Sequence, residues 1–512
     1  MKAGKVLLFI AAVIALLGLL GLLWPEKGVN IGIGTLSFPD PMSVLTSEKT
    51  SIHYEAEKDS TLMKDSSEVA NMDEIEKMKY EVLTSENAIY FPDNNPVWMD
   101  GVFDQLVQAG KKHLRIIHYG DSQIEIDRMT SEIRHLMQSE FGGCGVGMIP
   151  AVQTVPTTAI KQSCSADMTR YIVYAPDKKL KSRQYGPMGQ TAQLVGNATF
   201  TFAKASMKST KPGTKKFARI GIFYENANEA GGKVTTNDTT IEFTLDPNET
   251  FACIDVGRYI DHATVSMYGN ALIHGFTLDG KGHGVQVDNV AMRGCSGTIF
   301  TQIAGQSFAT YFNHFDVPLV IMQFGGNAMP YLKPGKSAKS YCDGLRNQIR
   351  YIRKMSPKTK ILFIGPSDMS TKIGSKMQTY EQLPVIVDSL KKMCLGENVA
   401  FWDLYEAMGG WNSMIAWVKA NPQLAGPDYV HFTPLGAERA GKMLTNAILK
   451  TYEYYLKRNP EVRVSGKMKE YDIYEIDTKS YADGMYVGNR DTSSSVVPDS
   501  TGRAAETTTD SI

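Results

Sequence analysis

The chain has 512 residues, 54 basic and 54 acidic side chains, and a formal net charge of zero. That length exceeds one ordinary domain and can bury a large core. No basic stripe or block suits a nucleic-acid partner, and no C-x-x-C pair or H-E-x-x-H spacing points to a metal.

Lys2 and Lys5 precede an uncharged run, residues 6–24, which Pro25-Glu26-Lys27 closes. At about 1.5 Å per residue this run spans nearly 30 Å, enough for a bilayer core. The lysines place the N-terminus on the cytoplasmic side and the rest of the chain outside. A cleaved signal peptide is the competing reading, but no small-x-small site follows Trp24. Residues 1–24 are therefore expected to be a transmembrane anchor. Residues 25–94 are expected to be a membrane-proximal stalk, rich in Ser, Glu, Lys and Asp over 49–79.

Trp98, Val102, Leu106 and Ala109 recur at helical spacing and open the next domain. Residues 114–119 read as a buried strand that runs into Gly120-Asp121-Ser122, and residues 124–141 read as a helix. A serine on such a turn is placed to be a nucleophile, with helix N–H groups near a developing oxyanion. A turn with an N-capping Ser or Asp is the plainer reading of these three residues alone.

From about 155 to 281 the text changes. Short β-rich runs over 171–174, 198–203, 217–223, 239–245, 251–256, 263–268 and 271–278 are separated by turn formers. They suggest a β-sandwich inserted between residues 95–154 and 282–462 of an α/β domain. Tyr171, Tyr174, Tyr185 and Tyr224 could stack on sugars, although tyrosines at such positions more often pack a core edge.

The α/β order then resumes. A strand over 285–292 leads to Met292-Arg293-Gly294-Cys295-Ser296-Gly297 and a helix over 298–308. A strand over 317–324 ends in Gly325-Gly326-Asn327. Helices are expected over 337–355, 380–395 and 437–456, and strands over 360–365 and 399–404. Such alternation gives a parallel sheet covered on both faces, with its site beyond the strand ends. Asp428-Tyr429-Val430-His431 lies on the loop before the last helix, close enough for Asp428 to orient the imidazole. A glycine N–H and an asparagine amide suit an oxyanion, though each block alone also reads as a turn closing a strand. Residues 463–512 are polar and expected to be a disordered tail. Cys144, Cys164, Cys253, Cys295, Cys342 and Cys394 could form disulfides in an exported protein, but scattered cysteines are also ordinary core residues.

Taken together, the four blocks resemble the SGNH hydrolases, the GDSL esterase/lipase superfamily. The matching residues are Ser122, Gly294, Asn327, and Asp428 with His431, in the order of the family. The resemblance implies a three-layer α/β/α, flavodoxin-like domain. Its nucleophile would be Ser122, its base His431 oriented by Asp428, and its oxyanion donors the Ser122 and Gly294 N–H groups with the Asn327 side chain. No cofactor is implied. Gln123 stands where the family carries leucine, a change expected to touch packing rather than chemistry. Ala328 replaces an acidic residue that often follows the asparagine. Some bacterial peptidoglycan O-acetylesterases of this superfamily carry a similar insertion, resembling a carbohydrate-binding jelly roll. The expected activity is therefore removal of acyl groups, O-acetyl above all, from a cell-envelope glycan. An exported polysaccharide O-acetyltransferase and a catalytically silent glycan-binding scaffold are the alternatives. His118 could line the site, but a strand-end histidine is usually structural.

Overall fold

The computed structural model describes residues 72–462, except 208 and 334, and two short strands, Val29–Asn30 and Thr35–Leu36. The chain divides into two units, Met1–Lys58 and Asp59–Ile512. In the first, the two short strands pair as an antiparallel hairpin. The second holds residues 72–462. The expected anchor, the first part of the expected stalk and the expected tail lie outside the described residues. Among the described residues no helix is long and apolar enough to cross a membrane.

A six-stranded sheet organises the catalytic part. Its strands are β1 (Ile89–Tyr90), β2 (His113–Gly120), β3 (Gly284–Ala291), β4 (Asp316–Gln323), β5 (Lys360–Ile364) and β6 (Ala400–Trp402). Their order is β3-β2-β4-β5-β6-β1. All neighbours are parallel except β1, which pairs antiparallel with β6 at the edge. The strands are apolar on both faces because both faces are covered. Leu114, Ile116, Leu319 and Ile321 face one core, while Ile117, Tyr119, Val320 and Met322 face the other. That two-residue alternation is the pleat itself. The first face meets helices α1 (Glu74–Thr84), α2 (Asp100–Leu106), α3 (Arg128–Phe141) and the last helix, Pro434–Arg458. The second meets Gly305–His314, Lys336–Met355 and Leu383–Gly396.

The expected stalk boundary at 94 is corrected. Residues 74–94 are part of the packed domain, since Val82 and Ile89 are buried in its core and β1 extends its sheet. The polar text of α1 reflects its outer face; a single edge of it is apolar. The expected helix over 124–141 is also shortened. Ser122–Asp127 is a 3₁₀ segment broken by Ile126 and Asp127 at φ of 58° and 64°, and α3 starts only at Arg128. The serine therefore rides on a tight turn ahead of the helix, not on its first turn. The fit around Gly120 is tight: a Cβ would stand 2.9 Å from the Ile124 side chain and 3.2 Å from the Gln323 carbonyl. The helix expected over 298–308 lies later, at Gly305–His314.

The insert is one continuously bonded nine-stranded antiparallel sheet instead of two separate sheets. It begins at Gly145–Ile149, about ten residues before the expected boundary, because that strand pairs with the end of His262–Asp279. The runs 263–268 and 271–278 are one strand, His262–Asp279, paired along its length with Phe217–Thr235. The register between them breaks around Asn228 and Gly231, where the pair bends. The sheet encloses its own core, including Phe200, Phe202, Ile220 and Phe276. On its other side Val173, Tyr185, Met188 and Phe223 join the second catalytic core.

The two parts are welded by charge. The buried Arg115 guanidinium, on β2, binds both oxygens of Asp288 on β3 at 2.7 and 2.9 Å. It also binds Asp279, the last residue of the insert, at 2.8 Å. Asp288 accepts the Met148 N–H at 2.7 Å and the Tyr311 hydroxyl as well. Gly147 makes room for this carboxylate; a Cβ there would collide with it at 2.1 Å. Burial would raise the Asp279 carboxyl, but Arg115 outweighs it and holds the group down at about 2. The six cysteines form no disulfide, and Cys144, Cys295, Cys342 and Cys394 are buried.

Candidate active site

β2, β4 and β5 end side by side, and their following loops meet the loop before the last helix. Ser122 Oγ lies 2.8 Å from His431 Nε2, and His431 Nδ1 lies 2.7 Å from Asp428 Oδ2. The other Asp428 oxygen accepts the N–H groups of Val430 and His431, both at 3.0 Å. Burial would raise this carboxyl, but the bonds from the imidazole and the two N–H groups hold it below the usual carboxylate range. An ionised acceptor fixes the ring proton on Nδ1, so Nε2 is left to accept from the serine.

Asn327 lines the same cavity as Ser122 and His431, a space of about 220 Å³ that Gln323, Pro366 and Met369 also wall. Its amide donates to the Cys295 carbonyl at 3.3 Å and leans on Asp121. Those two acceptors take over the support that Ala328 cannot give. Asp121 also accepts the Gln123 N–H at 2.9 Å. Burial pushes the Asp121 carboxyl up to about 6, against the pull of these two donors and His431. Gly294 directly precedes Cys295, whose carbonyl meets Asn327. It occupies an exposed turn after β3 at φ 75°, and it is not among the residues lining this cavity. Its strand nonetheless pairs directly with that of the serine, Ala291 opposite Gly120. Cys295 beside it stays a thiol, pushed up to about 12 by burial. His118 is a core residue behind the site, bonded to Gln323 and Thr130, and burial lowers it to about 3.

The expectation for Gln123 is overturned. This side chain is buried and ties the serine turn to the histidine loop. Its amide donates to the Val430 carbonyl at 2.8 Å and to Ser367 Oγ at 3.2 Å, and accepts the Phe432 N–H at 3.1 Å. Leucine would fill the space but make none of these bonds. Arg128 supports the same turn, donating to the Ser122 carbonyl at 3.0 Å. No spacing rule finds either residue, because most of their partners are main-chain groups. Tyr331, 82 % exposed, stands at the cavity rim. Tyr185 and Tyr224 are buried, and Tyr171 and Tyr174 are partly buried against the second core, so the four do not form an open sugar platform. Among the described residues no group of three His, Cys, Asp or Glu is placed to hold a metal ion.

Comparison with known families agrees with this geometry. Residues 266–439 match the GDSL-like Lipase/Acylhydrolase family. The matched residues mark an acylhydrolase domain of the SGNH type. The matched stretch starts inside the insert's last strand and omits Ser122, which the insert separates from the other blocks. The fold is similar to that of a peptidoglycan O-acetylesterase, at 19% identity and a TM-score of 0.56, over 73% of this chain and 99% of that one. A family two carbohydrate esterase from Clostridium thermocellum in complex with cellohexaose aligns at 10% identity and a TM-score of 0.24, over 52% and 95%. A salicylyl-acyltransferase from a tetracycline biosynthetic pathway aligns at 11% identity and a TM-score of 0.26, over 59% and 96%. No curated protein sequence matches the chain. The SGNH domain is an enzyme of acyl esters, a hydrolase or an acyltransferase.

Proposed function

We propose that the protein is a serine esterase that removes short acyl groups, O-acetyl above all, from a cell-envelope glycan. The observation that carries this reading is the unbroken chain from Ser122 Oγ through His431 to Asp428, opening on a cavity of about 220 Å³. Ser122 Oγ attacks the ester carbonyl as His431 Nε2 takes its proton, and Asp428 stabilises the imidazolium. Negative charge develops on the carbonyl oxygen. The Ser122 N–H, the Asn327 amide and the Gly294 N–H are the donors assigned to it. His431 then protonates the leaving sugar oxygen, and water repeats the sequence on the acyl-enzyme. The small cavity favours acetyl over long acyl chains. The glycan and the cell envelope are supported by the resemblance, the insert and the apolar run at 6–24, which we assign as a membrane anchor holding the enzyme outside the cytoplasm.

The test is release of acetate from O-acetylated glycan by the full-length protein and by its Ser122→Ala variant. Acetate release by the first and none by the second is expected. Equal release by both would remove Ser122 from the mechanism.

A further inference from the structure

A cavity about twice the volume of the catalytic one lies beside it. A cleft of about 450 Å³ lies between the insert and the serine turn. Glu125, Ile126 and Asp127 form its floor, directly after the residues 121–123 that line the catalytic cavity. Four residues of chain reach at most about 14 Å, so Ser122 and Ile126 lie within one oligosaccharide's length. The cleft and the cavity flank a single turn of backbone.

The charges in the cleft do not balance. Arg134 is paired with Asp127, and Arg293 with Glu125. Arg170, on the insert strand Thr169–Ile172, has no acidic partner among the described residues; its guanidinium donates only to the Gln190 side chain, at 3.0 Å. Across the cleft Gln153 donates through its amide nitrogen to the Val155 carbonyl at 2.9 Å, while its buried oxygen has no partner. A buried acceptor left unmade is costly, and a hydroxyl donor would satisfy it. The half-buried Tyr174 ring adds an apolar wall. A guanidinium with no carboxylate partner and an unsatisfied acceptor describe a ligand with a carboxylate and hydroxyls.

We propose that this cleft is a second subsite, which binds an acidic sugar next to the acylated one, with Arg170 holding its carboxylate. This rests on the reading of the protein as a glycan esterase and gives the insert a role in choosing the substrate. Arg170 and Gln153 are positioning residues and touch no reacting atom.

The test separates binding from catalysis. Full-length protein carrying Ser122→Ala is titrated calorimetrically with two matched probes. One is the disaccharide of N-acetylglucosamine and N-acetylmuramic acid, which carries a carboxylate. The other is N,N′-diacetylchitobiose, which does not. The acidic probe is expected to bind at least about tenfold more tightly, with a preference that shrinks as salt rises. Arg170→Gln is expected to erase the preference by weakening the acidic probe alone, Arg170→Lys to keep part of it, and Gln153→Ala to weaken both probes. Thermal unfolding of each variant reports whether the fold persists. Equal affinity for the two probes, or a preference that survives Arg170→Gln in a folded protein, would overturn the proposal. Ester cleavage by the unmutated protein is read separately, so a binding preference without turnover leaves this subsite standing and removes the esterase.

Discussion

Two places in this molecule join segments far apart in the chain, and they are built on opposite principles. At the sheet's end, the serine turn meets the histidine loop through Gln123, a neutral side chain bonded to main-chain groups, and through a half-exposed Asp–His pair. Beneath the insert, Arg115 joins Asp279 and Asp288 with all three side chains buried. The first junction is adjustable, since neutral hydrogen bonds contribute on the order of 1 kcal/mol each. The second is all-or-nothing, since removing one partner leaves a buried charge uncompensated. Chemistry needs a site that can shift as charge develops. A large insert on a catalytic sheet needs a joint that does not.

The comparison can be broken most decisively at the nucleophile. Ser122→Ala is expected to lower kcat by about 10⁶ with an unchanged melting temperature, because a single triad member costs that much. Steady-state turnover of an acetyl ester and a thermal melt on the same sample check both halves. Arg115→Met should do the reverse, costing about 3–5 kcal/mol of stability by stranding two carboxylates. A Tm equal to that of the parent would show that the joint contributes nothing.

Smaller effects sharpen the adjustable side. Asn327→Ala should lower kcat by about 10²–10³ with little change in KM, the pattern of a lost oxyanion donor. A rise in KM alone would make it a substrate contact. Gln123→Leu restores the residue of the resembling family and fills the space, yet should lower kcat about tenfold by freeing the histidine loop. Hydrogen exchange at Val430 and Phe432 should rise in parallel, and unchanged exchange would argue against a clamp.

The mildest prediction concerns pH. Burial raises Asp121 to about 6, so the folded state binds a proton that the unfolded chain, at an ordinary carboxylate value near 4, has lost. Holding the anion therefore costs stability above about pH 6, and the cost vanishes below about pH 4. The melting temperature of Asp121→Asn relative to the parent should fall as pH drops from 8 to 4, on the order of 2–3 kcal/mol in stability terms. A difference independent of pH would mean that Asp121 is not raised.

What could be read from the sequence follows the range of the interactions. β2 and β4 are legible because their apolar runs report burial on two faces. Ser122, Asn327, Asp428 and His431 stand out because they sit where strands end and loops begin, and the structure brings them together. Gln123 escapes because two of its three partners are backbone groups that carry no residue signature. Arg115 escapes because its acids lie 164 and 173 residues onward. The insert's start is misplaced because Gly145–Ile149 is an apolar strand that would suit either sheet, and only its pairing with the end of His262–Asp279 decides. The break at Ile126 and Asp127 is invisible since a β-branched isoleucine rarely adopts a positive φ.

The order of the sheet has a kinetic consequence. β2, which delivers the serine, lies between β3 and β4, and both come after the insert in the chain. During synthesis the nucleophile's strand therefore has no partner on either edge until the whole insert has been made. Its pairings are among the most distant in the molecule, and distant pairings form slowly. The insert's own strands are closer in sequence and can close first, carrying Asp279 to the place where β3 will begin. The insert then acts as the template on which the catalytic sheet zips shut, and the active site is among the last features of the chain to exist.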